Sequence, residues 1–193
     1  MTVDATNVRI GTPDQKTTGA IMDAAIGSTL PTDATTAPDK AFTPSGYCSE
    51  DGLTLTKDVS TNDIKDWSGS IVRKVLESFD GTITWTEIEM TYESMCHAFG
   101  TDNVTKTAAT TEHGEQLAVK IGANLPAARS WVFNMKDGDS RIRIVVPNGQ
   151  VTSVDEITFN STDAVSLPIT LSCYPDANGD SIIIYTDDGK VGV

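Results

Sequence analysis

Apolar and polar residues alternate with period two through the stretch from Trp131 to Tyr174, and the rest of the chain is read outward from it. Trp131, Phe133 and Met135 alternate with Val132 and Asn134, and Lys136-Asp137-Gly138-Asp139 then supplies a turn. Ile142, Ile144 and Val146 alternate with Arg141, Arg143 and Val145. Pro147-Asn148-Gly149 predicts a reversal into Val151 to Phe159, because Asn-Gly tolerates the positive φ of a tight hairpin turn. Pro147 cannot donate to a strand ladder, which places it on an edge or in that turn. Leu167, Ile169, Leu171 and Cys173 alternate with Ser166, Pro168, Thr170 and Ser172. The pattern predicts half-buried antiparallel strands whose apolar face must pack against a second sheet.

Upstream the same logic is more broken. GYCSEDGLTLT alternates Leu53 and Leu55 with Thr54 and Thr56. Lys57 to Ser70 then reads as a long polar loop with two apolar anchors, Ile64 and Trp67. Either another molecule or the domain itself must cover that indole. A second hairpin follows, Ile71 to Phe79 and Thr82 to Glu89 about an Asp80-Gly81 turn. Ile83 and Trp85 lie on one of its faces, Thr82, Thr84 and Thr86 on the other. One helix is predicted from about Met90 to Phe99, with Thr91 as N-cap, Glu93 in the first turn and Gly100 in the αL position after it. Tyr92, Met95, Cys96 and Phe99 form its apolar stripe. It is too short to persist alone in water and must lie on a sheet.

QLAVKIG alternates again through Leu117, Val119 and Ile121, and DANGDSIIIYTDDGKVGV ends the chain in a hairpin-like pattern. Residues 1–45 are rich in Thr, Ala, Asp and Pro, with a short strand around Gly19 to Ile26. They read as an N-terminal arm or edge strand laid against something else in preference to a disordered tail, the other reading such a composition allows. In all the chain reads as one mainly β domain over residues 1–193. It has roughly eight to ten strands in two packed antiparallel sheets, a β-sandwich or barrel, with one short flanking helix.

Charge narrows the partners. The 193 residues carry 14 Lys and Arg against 27 Asp and Glu, a formal net charge of -13. Such a chain repels nucleic acid and anionic membrane at long range. Cys48, Cys96 and Cys173 are odd in number and unpaired in spacing, which suits a reducing cytoplasm better than a disulfide framework or zinc site. The N-terminus lacks the basic flank and apolar core of a signal peptide, and no apolar run is long enough to cross a bilayer.

Candidate chemistry is sparse. No nucleophile motif accompanies His97 or His113, and His97 reads as a packing residue of the helix with Cys96 a small buried neighbour. Asp176, Asn178, Asp180 and Asp187 fall at calcium-loop spacing. But Ser181 stands where that loop needs glycine, and the terminal glutamate is missing, so a β-turn at Asn178-Gly179 accounts for them better. Nothing sets the acid pairs Asp155-Glu156 or Asp187-Asp188 across an aromatic cleft, as glycoside hydrolysis would require. No cofactor and no enzymatic activity is expected.

The order of several motifs resembles the major tail proteins, or tail tube proteins, of bacteriophages with long non-contractile tails, in the version found in phages of Gram-positive and especially actinobacterial hosts. The motifs are GYCSEDGLT at Gly46 to Thr54, WSGSIVR at Trp67 to Arg73, and the strand-to-helix step at Glu89 to Gly100. WVFNMKDG at Trp131 to Gly138, RIVVPNGQVT at Arg143 to Thr152 and CYPDANG at Cys173 to Gly179 complete them. Cys48 and Ser68 depart from the pattern, which has an aliphatic residue and a glycine there. No immunoglobulin-like domain is expected after Val193, so the resemblance carries the tube role and gives no expectation of surface decoration.

It implies a virion protein, made in the host cytoplasm, that assembles into stacked, typically hexameric rings. Its partners would be further copies of itself, a tape measure protein and tail tip or terminator proteins, with no membrane. DNA would pass through the bore without specific binding. Ile64 and Trp67 become candidate contacts between subunits or rings. Glu77, Glu87, Glu89, Asp155 and Glu156, with Thr82, Thr84 and Thr86 between them, become candidates for an acidic lumen lining. The competing expectation from another class is a carbohydrate-binding or adhesin β-sandwich module, which needs a row of aromatic side chains on one sheet face.

Overall fold

The computed structural model describes residues 3–14 and 19–190. Parts of the expected N-terminal arm, residues 1–2 and 15–18, lie outside the described residues, as do residues 191–193. The strands in chain order are β1 (Thr12–Pro13), β2 (Ile21–Ala25), β3 (Thr43–Pro44), β4 (Cys48–Lys65) and β5 (Ile71–Glu87). After helix α1 (Tyr92–Phe99) come β6 (Val104–Thr107), β7 (Gln116–Val119), β8 (Arg129–Asp137), β9 (Ser140–Val154), β10 (Leu167–Tyr174) and β11 (Ile183–Asp187). One open antiparallel sheet runs β3-β2-β8-β9-β10-β5-β4, with β1 paired to β8 and β11 to β9; β6 and β7 form a separate two-stranded sheet. The fold is mainly β with one helix, and the large sheet does not close into a barrel.

The sheet nevertheless curls. Strands β8 and β5 are three places apart in it, roughly 14 Å across a flat sheet. Yet the rings of Trp131 on β8 and Trp85 on β5 have centroids 5.4 Å apart, and Phe133 meets Trp85 edge-on at 5.3 Å. Curling wraps the core-facing side chains of both halves around one apolar cluster. It includes Ile83, Trp85, Trp131, Phe133, Ile144, Val146, Leu167, Ile169 and Leu171. Helix α1 lies against this cluster. Thr91 Oγ1 accepts from Ser94 N–H at 3.2 Å to cap its start, and Gly100 N–H returns to Cys96 O at its end. Gly100 has the expected positive φ of 85°, but its ψ of 145° takes the chain out of the αL region toward β6.

Several expectations need correction, each because pairing partners overrode a local signal. Pro147-Asn148-Gly149 is not a turn: β9 runs straight through it. Trp131 pairs with Val146 and Arg129 with Gly149, so β9 carries one extra residue there, and Pro147 sits in that bulge where no ladder N–H is required. β11 pairs with β9 as far as Val145 and β10 takes over at Asn148, so the proline also marks the change of partner. Gly149 is needed for room. A Cβ there would stand 2.9 Å from Cδ1 of Trp131, whose indole N–H donates to Gly149 O at 3.3 Å.

Strands β8 and β9 are buried on both faces at mid-length. Val132 and Val145 point away from the main cluster and pack with Ala24 and Phe42 in a second one. The cover over that face comes from the loop between β2 and β3, which Arg143 holds by donating to Asp33 O at 2.8 Å and Thr36 O at 2.7 Å. The expected arm therefore contains an interior strand, β2, and a lid for the second face.

Candidate intersubunit surface

Three features of the subunit stand out chemically. The first is a ribbon. Lys57 to Ser70, expected as a loop, is mostly the outer half of β4, and the Asp80-Gly81 turn does not exist. Strands of 18 and 17 residues pair from Leu53↔Trp85 out to Lys65↔Ile71, with Asp58↔Asp80 and Lys57↔Gly81 in register between and an extra β5 residue after Ser60 and again after Ile64. Ordinary strands are about 5–6 residues long. Beyond Gly81 no other strand flanks the pair, and its side chains are exposed. Val59 and Phe79 lie opposite each other on one face with Leu76 beyond them, while Val75 and Ile64 share the other face. A two-stranded ribbon is marginal in water by itself. One with apolar groups on both faces is built to be covered.

At its tip the chain turns through Asp66 to Ser70. Asp66 Oδ1 accepts from Ser68 Oγ at 2.7 Å and from Ser70 N–H at 2.9 Å, which holds the Asp66 carboxyl below its ordinary value. Gly69 takes φ 87° to close the turn. Trp67 projects from it fully exposed, so nothing in its own subunit covers that indole.

The second feature is an uncovered sheet face. One rung across β4, β5, β10 and β9 reads Thr54, Thr84, Thr170, Ser153, and a second reads Thr56, Thr82, Ser172, Gln150. Between them on the opposite face lie the core rungs, such as Leu55, Ile83, Leu171 and Val151. The result is an uncharged patch of hydroxyls and one carboxamide, with Asp58 and Asp80 beyond one end and Asp155 near the other.

The third is a buried charge cluster. His97 Nδ1 lies 2.9 Å from Glu87 Oε1 and Nε2 lies 3.2 Å from Asp23 Oδ1. Trp85 Nε1–H donates to the same Glu87 oxygen at 3.1 Å, and Arg129 Nε donates to Asp23. Burial alone would push the imidazole's pKa down, but hydrogen bonds and charge from both carboxylates raise it to about 9. At neutral pH it is an imidazolium, hydrogen-bonded to Glu87 through Nδ1 and ion-paired with Asp23 on its Nε2 side. Burial pushes Asp23 up, yet His97 and Arg129 outweigh it and hold the carboxyl below its ordinary value. The cluster fastens β2, β5, α1 and β8 together; His97 is more than a packing residue.

The five acids expected to line a lumen do not come together. Glu87 is fully buried in the cluster just described, a correction its sequence position already signalled: it continues the core face of Ile83 and Trp85 by period two. Glu89 is half-buried and accepts from Tyr47 N–H at 3.1 Å. Glu77 is out on the ribbon, bonded by Ser60 Oγ at 3.0 Å. Asp155 and Glu156 are exposed just past the end of β9, with Asp155 beside the hydroxyl face. Asp23 and Arg129 were missed, although a lone acid in the apolar run IMDAA is the kind of signal that asks for a buried partner. Among the described residues no group of His, Cys, Asp and Glu is arranged to hold a metal ion. Asp176 instead accepts from the N–H groups of Asn178 and Asp180, as a turn at Asn178-Gly179 requires. Among the described residues no helix is long and apolar enough to cross a membrane.

Among curated proteins no sequence matches this chain. Solved structures that resemble it include the tube-terminating cap of the anti-feeding prophage, at 16% identity and TM-score 0.47 over 95% of this chain and 97% of that one. The sheath/tube terminator of the PVC extracellular contractile injection system is similar at 12% identity and TM-score 0.42, covering 85% and 91%. A chain of the PVC sheath-tube complex is similar at 13% and 0.42, covering 86% and 88%. The family model for phage tail tube proteins matches residues 1–191. This chain belongs to the phage tail tube protein family.

Proposed function

We propose that the chain is the repeating subunit of the tube in a long, non-contractile phage tail, assembling into stacked rings, six subunits to a ring, around a bore through which DNA passes. The observation that carries this is the β4–β5 ribbon, whose apolar side chains stay exposed on both faces of the subunit. Its outer half makes the contact between rings, with Ile64 and Trp67 as anchors. The hydroxyl face of β4, β5, β10 and β9 turns toward the bore, bordered by Asp58, Asp80 and Asp155. Hydroxyls give a sliding polyanion no fixed charge to hold, and acids at the borders repel it over a Debye length of about 8 Å. The tape measure protein and the tip or terminator proteins are its other partners. It works as a structural virion component synthesised in the host cytoplasm, and not as a catalyst.

A sugar-binding module would stack rings on an exposed sheet face. Here that face presents threonines, and the alternative gains no support. The test is assembly of the purified protein followed by light scattering and negative-stain microscopy. Rings or tubes are expected, and Trp67→Ala is expected to stay folded but fail to elongate. A species that remains monomeric at high concentration in every salt overturns the reading.

A further inference from the structure

At the base of the ribbon an open groove of about 720 Å³ runs between Val59, Leu76 and Phe79 on one side and Ile182 and Ile184 on the other. We propose that this groove is the socket for the ribbon tip of a second copy, with Trp67 as the side chain that fills it. The inference rests on the tube reading and adds the surface that receives the ribbon.

Four observations support it. The groove floor is aliphatic and aromatic, and Trp67 is a fully exposed indole on a turn already held by Asp66, so little conformational freedom is lost when it docks. The subunit's own tip cannot fill the groove. Val59 and Trp67 are eight residues apart along an extended ribbon, roughly 27 Å, so the occupant is another molecule. The charges match: Lys65 and Asp66 immediately precede Trp67, and Asp180 and Lys57 border the groove. Finally, tip and groove are different surfaces of one chain. A contact between them is heterologous, the kind that propagates without limit as a stack of rings must. A self-complementary contact would stop at a pair.

The experiment uses the full chain. Trp67→Ala removes the tip and Leu76→Glu spoils the groove; both positions are exposed, and folding is checked by circular dichroism and thermal melting. Each variant alone is expected to elongate at least about tenfold more slowly than the parent, as loss of an interface anchor does. Mixed together, the intact grooves of the first accept the intact tips of the second. The mixture is expected to give paired rings and nothing longer. Lys65→Glu and Asp180→Lys are each expected to slow growth, and the double reversal to restore it. Variants that elongate like the parent, a mixture that forms no pairs, or a double reversal that rescues nothing would overturn the socket while tubes of the parent protein still stand. A parent protein that never polymerises overturns the tube reading and the socket with it.

Discussion

Glu87 and His97 show how one residue's environment sets its role. A buried carboxylate is tolerated only when paired, and removing one partner of such a pair costs about 3–5 kcal/mol. His97→Gln is therefore expected to destabilise the subunit by roughly that amount, measured by urea unfolding. His97→Gln with Glu87→Gln should recover part of the loss, because the orphaned charge goes too. The sign of the pH dependence follows from the imidazole's raised pKa. Its folded value of about 9 lies above the ordinary 6.5, so the stability it contributes is complete below about 6.5 and is lost as pH climbs through 9. Unfolding midpoints should fall across that window, and the His97→Gln profile should be flat there. A parent profile already flat between pH 6.5 and 9 would show that the imidazole is not held as a cation. Asp23, whose folded value is lowered, works in the opposite direction, and its contribution is lost in acid.

At the scale of elements, helix and ribbon obey different rules. Helix α1 is only 8 residues and depends on its cap and its cover. Thr91→Ala removes the oxygen that accepts from Ser94 N–H and should cost about 1 kcal/mol, read from thermal melting. The ribbon is expected to add little to subunit stability, since beyond Gly81 it packs on no other strand. Replacing residues 58–79 with a two-residue turn joining Lys57 to Asp80 should leave the melting temperature within a few degrees while abolishing polymers. A truncated chain that fails to fold would show instead that the ribbon belongs to the subunit core. The cross-strand pair Asp58↔Asp80 sets like charges opposite each other, a local cost of the sort found where a surface is shaped for a purpose other than stability.

For the whole molecule the relevant quantity is the net charge of -13. Within the ribbon Lys57, Lys65, Arg73 and Lys74 nearly balance Asp58, Asp63, Asp66, Glu77 and Asp80, so the excess negative charge sits on the body. Bringing bodies together crowds like charges, and salt screens that repulsion. Moderate salt is accordingly expected to speed tube formation in light scattering, whereas a contact made mainly of ion pairs would be weakened by it. Duplex DNA should show no binding at physiological ionic strength in a fluorescence anisotropy titration. Tight, salt-sensitive binding would falsify the non-adhesive bore while leaving the tube intact.

Period-two alternation determined by itself that β10 turns Leu167, Ile169, Leu171 and Cys173 inward, and that Thr82 and Thr84 share the opposite face from Ile83 and Trp85. The helix with its Thr91 cap and the Gly138 turn between β8 and β9 were equally legible, because caps and tight turns are local chemistry. What covers each face was not. Val132 and Val145 are buried by a loop some ninety residues or more away in the chain, and only the folded chain brings Phe42 over them. Asn148-Gly149 has the composition of a turn, but β10 and β8 pair on either side of it and make it a bulge beneath Trp131. Lys57 to Lys65 is polar enough to read as loop, and only its register with Ile71 to Gly81 makes it strand. Alternation records which side of a strand is apolar; the partner that lies against that side is a non-local choice, made by the curl of the sheet and the pairing it allows.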